Sequence, residues 1–137
     1  MNWTLEVVVV PVADIDRAKA FYADQLGFNV DFDTHGSAGV RFVQLTPPGS
    51  GCSIVIRHPN EGMEPGSLKG IQLVVNDLLA AHRQLEERGV ANGGVQVFAE
   101  QGPRPYQEGD ELNNVGFVFL SDPDGNEWAV QEISSRP

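Results

Sequence analysis

Apolar and polar positions along this chain run twice through the same pattern. Leu5–Val12 is an almost unbroken β-branched run of the kind buried on both faces of a sheet, and Pro11 near its end suits a strand terminus. Asp14 then stands at a helix N-cap. Ala18, Phe21, Tyr22, Gln25 and Leu26 follow at helical spacing until Gly27 ends the helix. Phe28–Asp33, Val40–Leu45 and Ser53–Arg57 read as strands, with a turn over Thr34–Gly39 and a Pro-Pro-Gly-Ser-Gly turn between them. After a linker rich in Pro, Gly and charge, Leu68–Asn76 restarts as a strand. Asp77 caps a second helix whose Leu78, Ala81 and Leu85 form one face, and Gly89 closes it. Val95–Ala99, Val115–Leu120 and Glu127–Ile133 complete the second round as strands, the last two joined by the turn Asp122-Pro123-Asp124-Gly125-Asn126.

The two rounds are offset copies. Asp14 and Asp77 lie 63 positions apart, whereas Pro47 and Pro123 of the later turns lie 76 apart. The difference falls mainly on Glu100–Asn113, which reads as a long loop of Gly, Pro, Tyr106 and acids, and such loops in compact domains are often binding loops. The pattern predicts an α+β chain of two tandem βαβββ modules in a single domain spanning 1–137. Module one covers 1–58, a linker 59–67, and module two 68–137.

Charge narrows the partners. Nine basic against nineteen acidic residues give a formal net charge of −10, so repulsion from a phosphate backbone replaces the counterion release on which nucleic-acid binding relies. Nucleic acid is excluded as a partner, while a cationic ligand would be attracted. The apolar run at the amino-terminus is broken by Glu6 and stopped by Pro11, which predicts neither a signal peptide nor a membrane span and points to the cytoplasm. Cys52 is the single cysteine, so no disulfide within the chain is possible.

Pro11-Val12-Ala13-Asp14-Ile15-Asp16-Arg17-Ala18-Lys19-Ala20-Phe21-Tyr22, then Leu26-Gly27-Phe28, then Asp122-Pro123-Asp124-Gly125-Asn126, in that order on a duplicated module, resemble the vicinal oxygen chelate superfamily, also called the glyoxalase, bleomycin-resistance and extradiol-dioxygenase superfamily. The resemblance covers Leu5 to Ile133 and implies a half-open, mixed-sheet barrel with helices outside and a cavity inside. It also implies a metal-binding pattern. One ligand lies seven residues before the aspartate opening each helix, and another seven after the first Asp of the Asp-Pro-Asp-Gly turn. Those places are Val7, Gly70 and Ala129, and the 76-residue repeat supplies Ser53 as the fourth. None is the imidazole or carboxylate that a hard or borderline divalent ion requires, so the expected state is metal-free and without cofactor.

Alternation of side chains from these positions predicts a cavity lining of Val7, Val9, Ser53, Val55, Gln72, Val74, Ala129 and Gln131, joined by Phe42 and Gln44 and by Val118 and Leu120. The predicted ligand-binding set is Phe42, Gln44, Ser53, Gln72, Val118 and Gln131, an apolar lining with a few amide and hydroxyl groups. The plainer alternative is that the glutamines bond one another. His35, His58 and His82 read as surface residues, with only His58 within reach of a cavity mouth, and Cys52 as a small buried group facing the helices. Trp128 is out of phase with Ala129 and Gln131 and should pack under a helix. Glu6, Glu127 and Glu132 are acid–base candidates only if the fold turns them inward. The reading is a metal-free homodimer binding an apolar, aromatic or cationic small molecule, with Glu100–Asn113 closing over it. The alternative is a glyoxalase-like lyase, isomerase or dioxygenase using displaced metal ligands or metal-independent acid–base groups.

Overall fold

The computed structural model describes residues 1–36, 39–58 and 62–136. The tip of the predicted Thr34–Gly39 turn, at 37–38, and the first residues of the predicted linker, at 59–61, lie outside the described residues. Strand β1 (Val7–Pro11) leads to helix α1 (Ile15–Ala20), and strands β2 (Asn29–His35), β3 (Arg41–Thr46) and β4 (Ser53–Arg57) follow. The second round contains β5 (Ile71–Val75), α2 (Leu78–Glu87), β6 (Gln96–Ala99), β7 (Gly102–Pro105), β8 (Gly116–Ser121) and β9 (Glu127–Glu132). These make an α+β fold of two open mixed sheets, ordered β1-β4-β3-β2 and β5-β9-β8-β6-β7. In each, the strand before the helix runs parallel to the last strand of its module and the other pairs are antiparallel.

Both caps form as the sequence predicts. Asp14 accepts from the Arg17 N–H at 3.0 Å and Asp77 from the Ala80 N–H at 3.1 Å. Helix α1 widens into a π-turn over Phe21–Gln25, where the Leu26 N–H reaches the Phe21 carbonyl at 3.0 Å, and Gly27 ends it at a φ of 78°. The π-turn accompanies full burial of Tyr22, which stacks on Phe28 at 5.8 Å. Helix α1 packs on β3 and β4 through Ile15, Ala18, Val43, Leu45, Ile54 and Ile56, and helix α2 packs on β8 and β9 through Leu78, Leu85, Val118, Leu120, Trp128 and Val130. Trp128 lies on this buried side, as its phase predicts.

The chain divides into two compact units, Met1–Leu68 with Asp122–Asn126, and Lys69–Ser121 with Glu127–Pro137. The Asp-Pro-Asp-Gly-Asn turn that joins β8 to β9 therefore belongs to the first unit. Asp122 Oδ1 accepts from the Asp124 and Asn126 N–H groups, both at 2.9 Å, while its Oδ2 accepts from the Tyr22 hydroxyl at 2.6 Å and from Asn126 Nδ2 at 2.7 Å. Asn126 also donates to the Pro11 carbonyl at 2.9 Å and accepts from the Leu68 N–H at 3.0 Å. Asp124 accepts from the Ala13 N–H at 3.1 Å and from Arg17 at 3.2 Å. Gly66 is required beside this turn, because its φ is +80° and a Cβ there would stand 2.0 Å from the Asp124 carbonyl oxygen.

Two expectations need correction. Residues Gly102–Pro105 lie inside the predicted loop but form a strand paired with β6, because alternating backbone groups can close a hairpin even where Gly and Pro dilute the strand signal. Val118 and Leu120 also do not share a face with Gln131. The β8–β9 register pairs Val118 with Val130 and Leu120 with Trp128 on the buried helix side, and sets Phe117 beside Gln131. Both phases of the Phe-Val-Phe-Leu run are apolar, so its own alternation is silent about which side faces the helix.

Candidate functional site

Each sheet has one face against its helix and one helix-distal face, and the predicted polar residues divide between the distal faces. On the first sheet, the register aligns Val9, Val55, Gln44 and Phe32 in one row and Arg57, Phe42 and Thr34 in the next. Phe42 and Phe32 meet edge to face at 5.9 Å. Ser53 is buried and its hydroxyl lies 2.6 Å from that of Thr46, which in turn donates to Asp31; Gln44 donates to the same carboxylate at 3.1 Å. Phe42, Gln44 and Ser53 are thus brought together on one face.

On the second sheet, Gln72 and Gln131 meet. The Gln72 amide donates to the Gln131 side-chain oxygen, and Gln131 Nε2 donates to the Asn114 carbonyl at 2.8 Å. The glutamines bond each other while Gln72 stays exposed, its Oε1 at the end of the amide chain. Beside them stands a platform that sequence reasoning missed. Phe117 and Phe119 lie parallel, 5.9 Å apart with 4° between planes, and Phe98 packs against both at 5.0 and 6.1 Å. Phe98 and Phe119 remain 41% and 43% exposed, as does Val74 at 46%, unusual for side chains with this much apolar surface. The spacing of Phe117 and Phe119, two apart, was the available signal. A shallow cavity of about 260 Å³ adjoins the platform, lined by Phe119, Leu120, Ser121, Glu127 and Trp128.

The other candidates have structural places. Glu132 accepts from the Leu78 N–H at 2.9 Å and so serves the start of helix α2, Glu127 pairs with Lys69 at 3.4 Å on the surface, and Glu6 is exposed. His35 and His58 are exposed, and His82 sits 3.2 Å from Glu86 one helical turn on. Cys52 is half-buried in the turn before β4 rather than packed against a helix, with its thiol 3.6 Å from the Ser53 carbonyl.

The metal pattern can be tested against the strand register. The parallel ladders pair Val9 with Val55 and Gln72 with Ala129. Val9 and Gln72 are 63 positions apart, as Asp14 and Asp77 are, which makes Val55 rather than Ser53 the counterpart of Ala129. The offset of 76 misleads because Pro47 and Pro123 do not occupy equivalent places: Val55 lies eight residues after Pro47, whereas Ala129 lies six after Pro123. Gly70, before β5, has a φ of +87°, a conformation that side-chain-bearing residues rarely adopt. Val7, Val55, Gly70 and Ala129 offer no donor atom, and no three His, Cys, Asp or Glu side chains among the described residues stand close enough to share an ion. These side chains do not fit a divalent metal at the family position.

The family model described as Glyoxalase/Bleomycin resistance protein/Dioxygenase superfamily matches residues 4–130. The chain belongs to this superfamily. Among solved structures of similar fold is TnmS3, an antibiotic binding protein from Streptomyces sp. CB03234, at 32% identity with a TM-score of 0.77, covering 97% of this chain and 98% of that one. A glyoxalase/bleomycin resistance protein from the same Streptomyces is 32% identical over 93% of this chain and 99% of that one, with a TM-score of 0.73. A superfamily member from Sphaerobacter thermophilus DSM 20745 is 28% identical over 96% and 98%, with a TM-score of 0.75. No curated protein matches significantly. No helix among the described residues is long and apolar enough to cross a membrane.

Proposed function

We propose that the protein binds a small planar aromatic molecule on the helix-distal face of its second sheet, without a metal, as a sequestering protein of the bleomycin-resistance kind acting in the cytoplasm. The observation that carries this is the exposed Phe98, Phe117 and Phe119 platform beside the Gln72–Gln131 amide chain. Covering apolar surface supplies about 25 cal/mol per Å² before the costs of immobilisation, and the amides select by hydrogen bonding. Similarity to an antibiotic binding protein supports a small-molecule ligand, and the aliphatic residues at the family's metal positions support the metal-free reading.

A thermal-shift and fluorescence screen of planar aromatics tests it. At a hundredfold excess over Kd a ligand adds about 2.7 kcal/mol to stability, enough to raise the melting temperature by several degrees. Phe119→Ala should weaken any hit tenfold or more and Gln131→Leu should change its selectivity. Affinity unchanged by both substitutions would move the site elsewhere. The protein also pairs as a homodimer, since Trp3, Leu5 and Val7 are 90%, 70% and 38% exposed along and before the edge strand β1, and a twofold partner covers such an edge with the same surface. Sedimentation at micromolar concentration checks this, and a monomer there contradicts it.

A further inference from the structure

We infer that Asp31, on the first sheet, is the centre of a second binding site, one that takes a protonated amine attached to an aromatic or alkyl body; this goes beyond the aromatic platform on the second sheet. Strand β2 carries a β-bulge. Val30 pairs with Leu45 and Phe32 with Gln44, so β2 advances two residues where β3 advances one, and Asp31 is the extra residue. A bulge sets two successive side chains on one face, so Phe32, opposite Gln44, joins Asp31, which alternation from Asn29, opposite Thr46, already places helix-distal. Here the hydrogen bonds show the result, since Gln44 and Thr46, both helix-distal, donate to the Asp31 carboxylate.

Those bonds also set its chemistry. Both fall on Oδ2, which leaves Oδ1 as an acceptor without a partner among the described residues. The donors are neutral, whereas Asp16 and Asp33 face Arg41, Asp124 faces Arg17 and Asp110 faces Arg104. Arg57 shares the helix-distal face, in the Phe42 row, and makes no ion pair with Asp31. The charge is therefore fixed in direction by two donors and left for an external cation. Phe32, next in the bulge and 40% exposed, forms with Phe42 an edge-to-face pair that offers apolar cover and a π-face. A carboxylate with an exposed oxygen beside aromatic rings is the pairing that recognises an ammonium group, and a ligand body that covers it lowers the local dielectric and strengthens the contact.

The test uses the full chain and two fluorescent probes of nearly equal shape, 9-(aminomethyl)anthracene and 9-anthracenemethanol. The amine should bind at least tenfold tighter than the alcohol, Asp31→Asn should erase that difference while leaving the alcohol within twofold, and Phe119→Ala, which weakens the alcohol, should leave the amine within twofold. Raising sodium chloride from 50 to 500 mM should weaken the amine alone, a measurement that needs no variant. Equal affinity for the two probes, or a preference that survives Asp31→Asn, overturns the inference. A preference lost in Phe119→Ala but kept in Asp31→Asn also overturns it, by placing the amine on the second sheet. Failure of the alcohol to respond to Phe119→Ala counts only against the platform.

Discussion

Asn126 shows how much one buried amide can hold. It is fully buried and joins the Pro11 carbonyl, the Leu68 N–H and the Asp122 carboxylate, three groups far apart in sequence. Asn126→Leu would fill a similar volume but leave the Leu68 N–H without its acceptor and take one donor each from the Pro11 carbonyl, which keeps the Gly66 N–H at 3.4 Å, and from Asp122, and each such loss in a dry site costs about 1–3 kcal/mol. The expected loss of stability is therefore roughly 3–5 kcal/mol in urea unfolding, enough to unfold a marginal domain. Tyr22→Phe, which removes one of the four hydrogen bonds to Asp122 and keeps the ring, should cost about 1–2 kcal/mol. A Leu variant within 1 kcal/mol of the parent would mean that water replaces the amide.

Among the elements, the β6–β7 hairpin turns part of an expected loop into ordered sheet edge. Beyond it, Arg104 grips Asp110 through two bonds at 2.7 and 2.9 Å, and the Gln107 N–H donates to the same carboxylate at 2.7 Å. Hydrogen bonding from Arg104, then from Gln107, holds the Asp110 pKa at about 2, below its ordinary 3.8. A carboxyl depressed in the folded state stabilises it above the unfolded value, and this contribution is lost as pH falls from about 3.8 through about 2. Carboxyl NMR should follow Asp110 with a midpoint near 2, with the Gln107 amide moving in step. A midpoint at the ordinary value would show that the clamp is open in solution. Because both groups are only half-buried, salt should weaken the clamp.

At the scale of the whole molecule, the duplication is not a division into independent halves. The turn Asp122–Asn126 lies between two strands of the second unit in sequence yet belongs to the first unit. A fragment ending at Leu68 would lose the bonds from the Tyr22 hydroxyl to Asp122, from Asn126 to the Pro11 carbonyl and from the Ala13 N–H to Asp124 together. Circular dichroism should find that fragment unfolded or melting far below the full chain. A cooperative, native-like melt of the fragment would contradict this.

The sequence by itself determined the order of elements, because caps and periodicity are local. Asp14 and Asp77 sit one residue before their helices, and the apolar runs mark every strand but β7. Alternation also gave Phe42, Gln44, Ser53, Gln72 and Gln131 the right phase on their strands, though it set them in one lining where the structure divides them between two sheets. Where the two phases of a strand do not differ, the tertiary structure decided. Val118 and Phe119 are equally apolar, and only pairing with β9 chose which of them meets helix α2. The ladder likewise chose Val55 over Ser53 as the counterpart of Ala129, because a two-residue shift of register keeps parity and leaves no trace in the pattern. Phe32 joined Asp31 on the helix-distal face through a bulge, and the bulge exists only in the mismatch between two strands. Local physics fixes what each segment becomes. Register, which depends on two segments at once, fixes what its side chains meet.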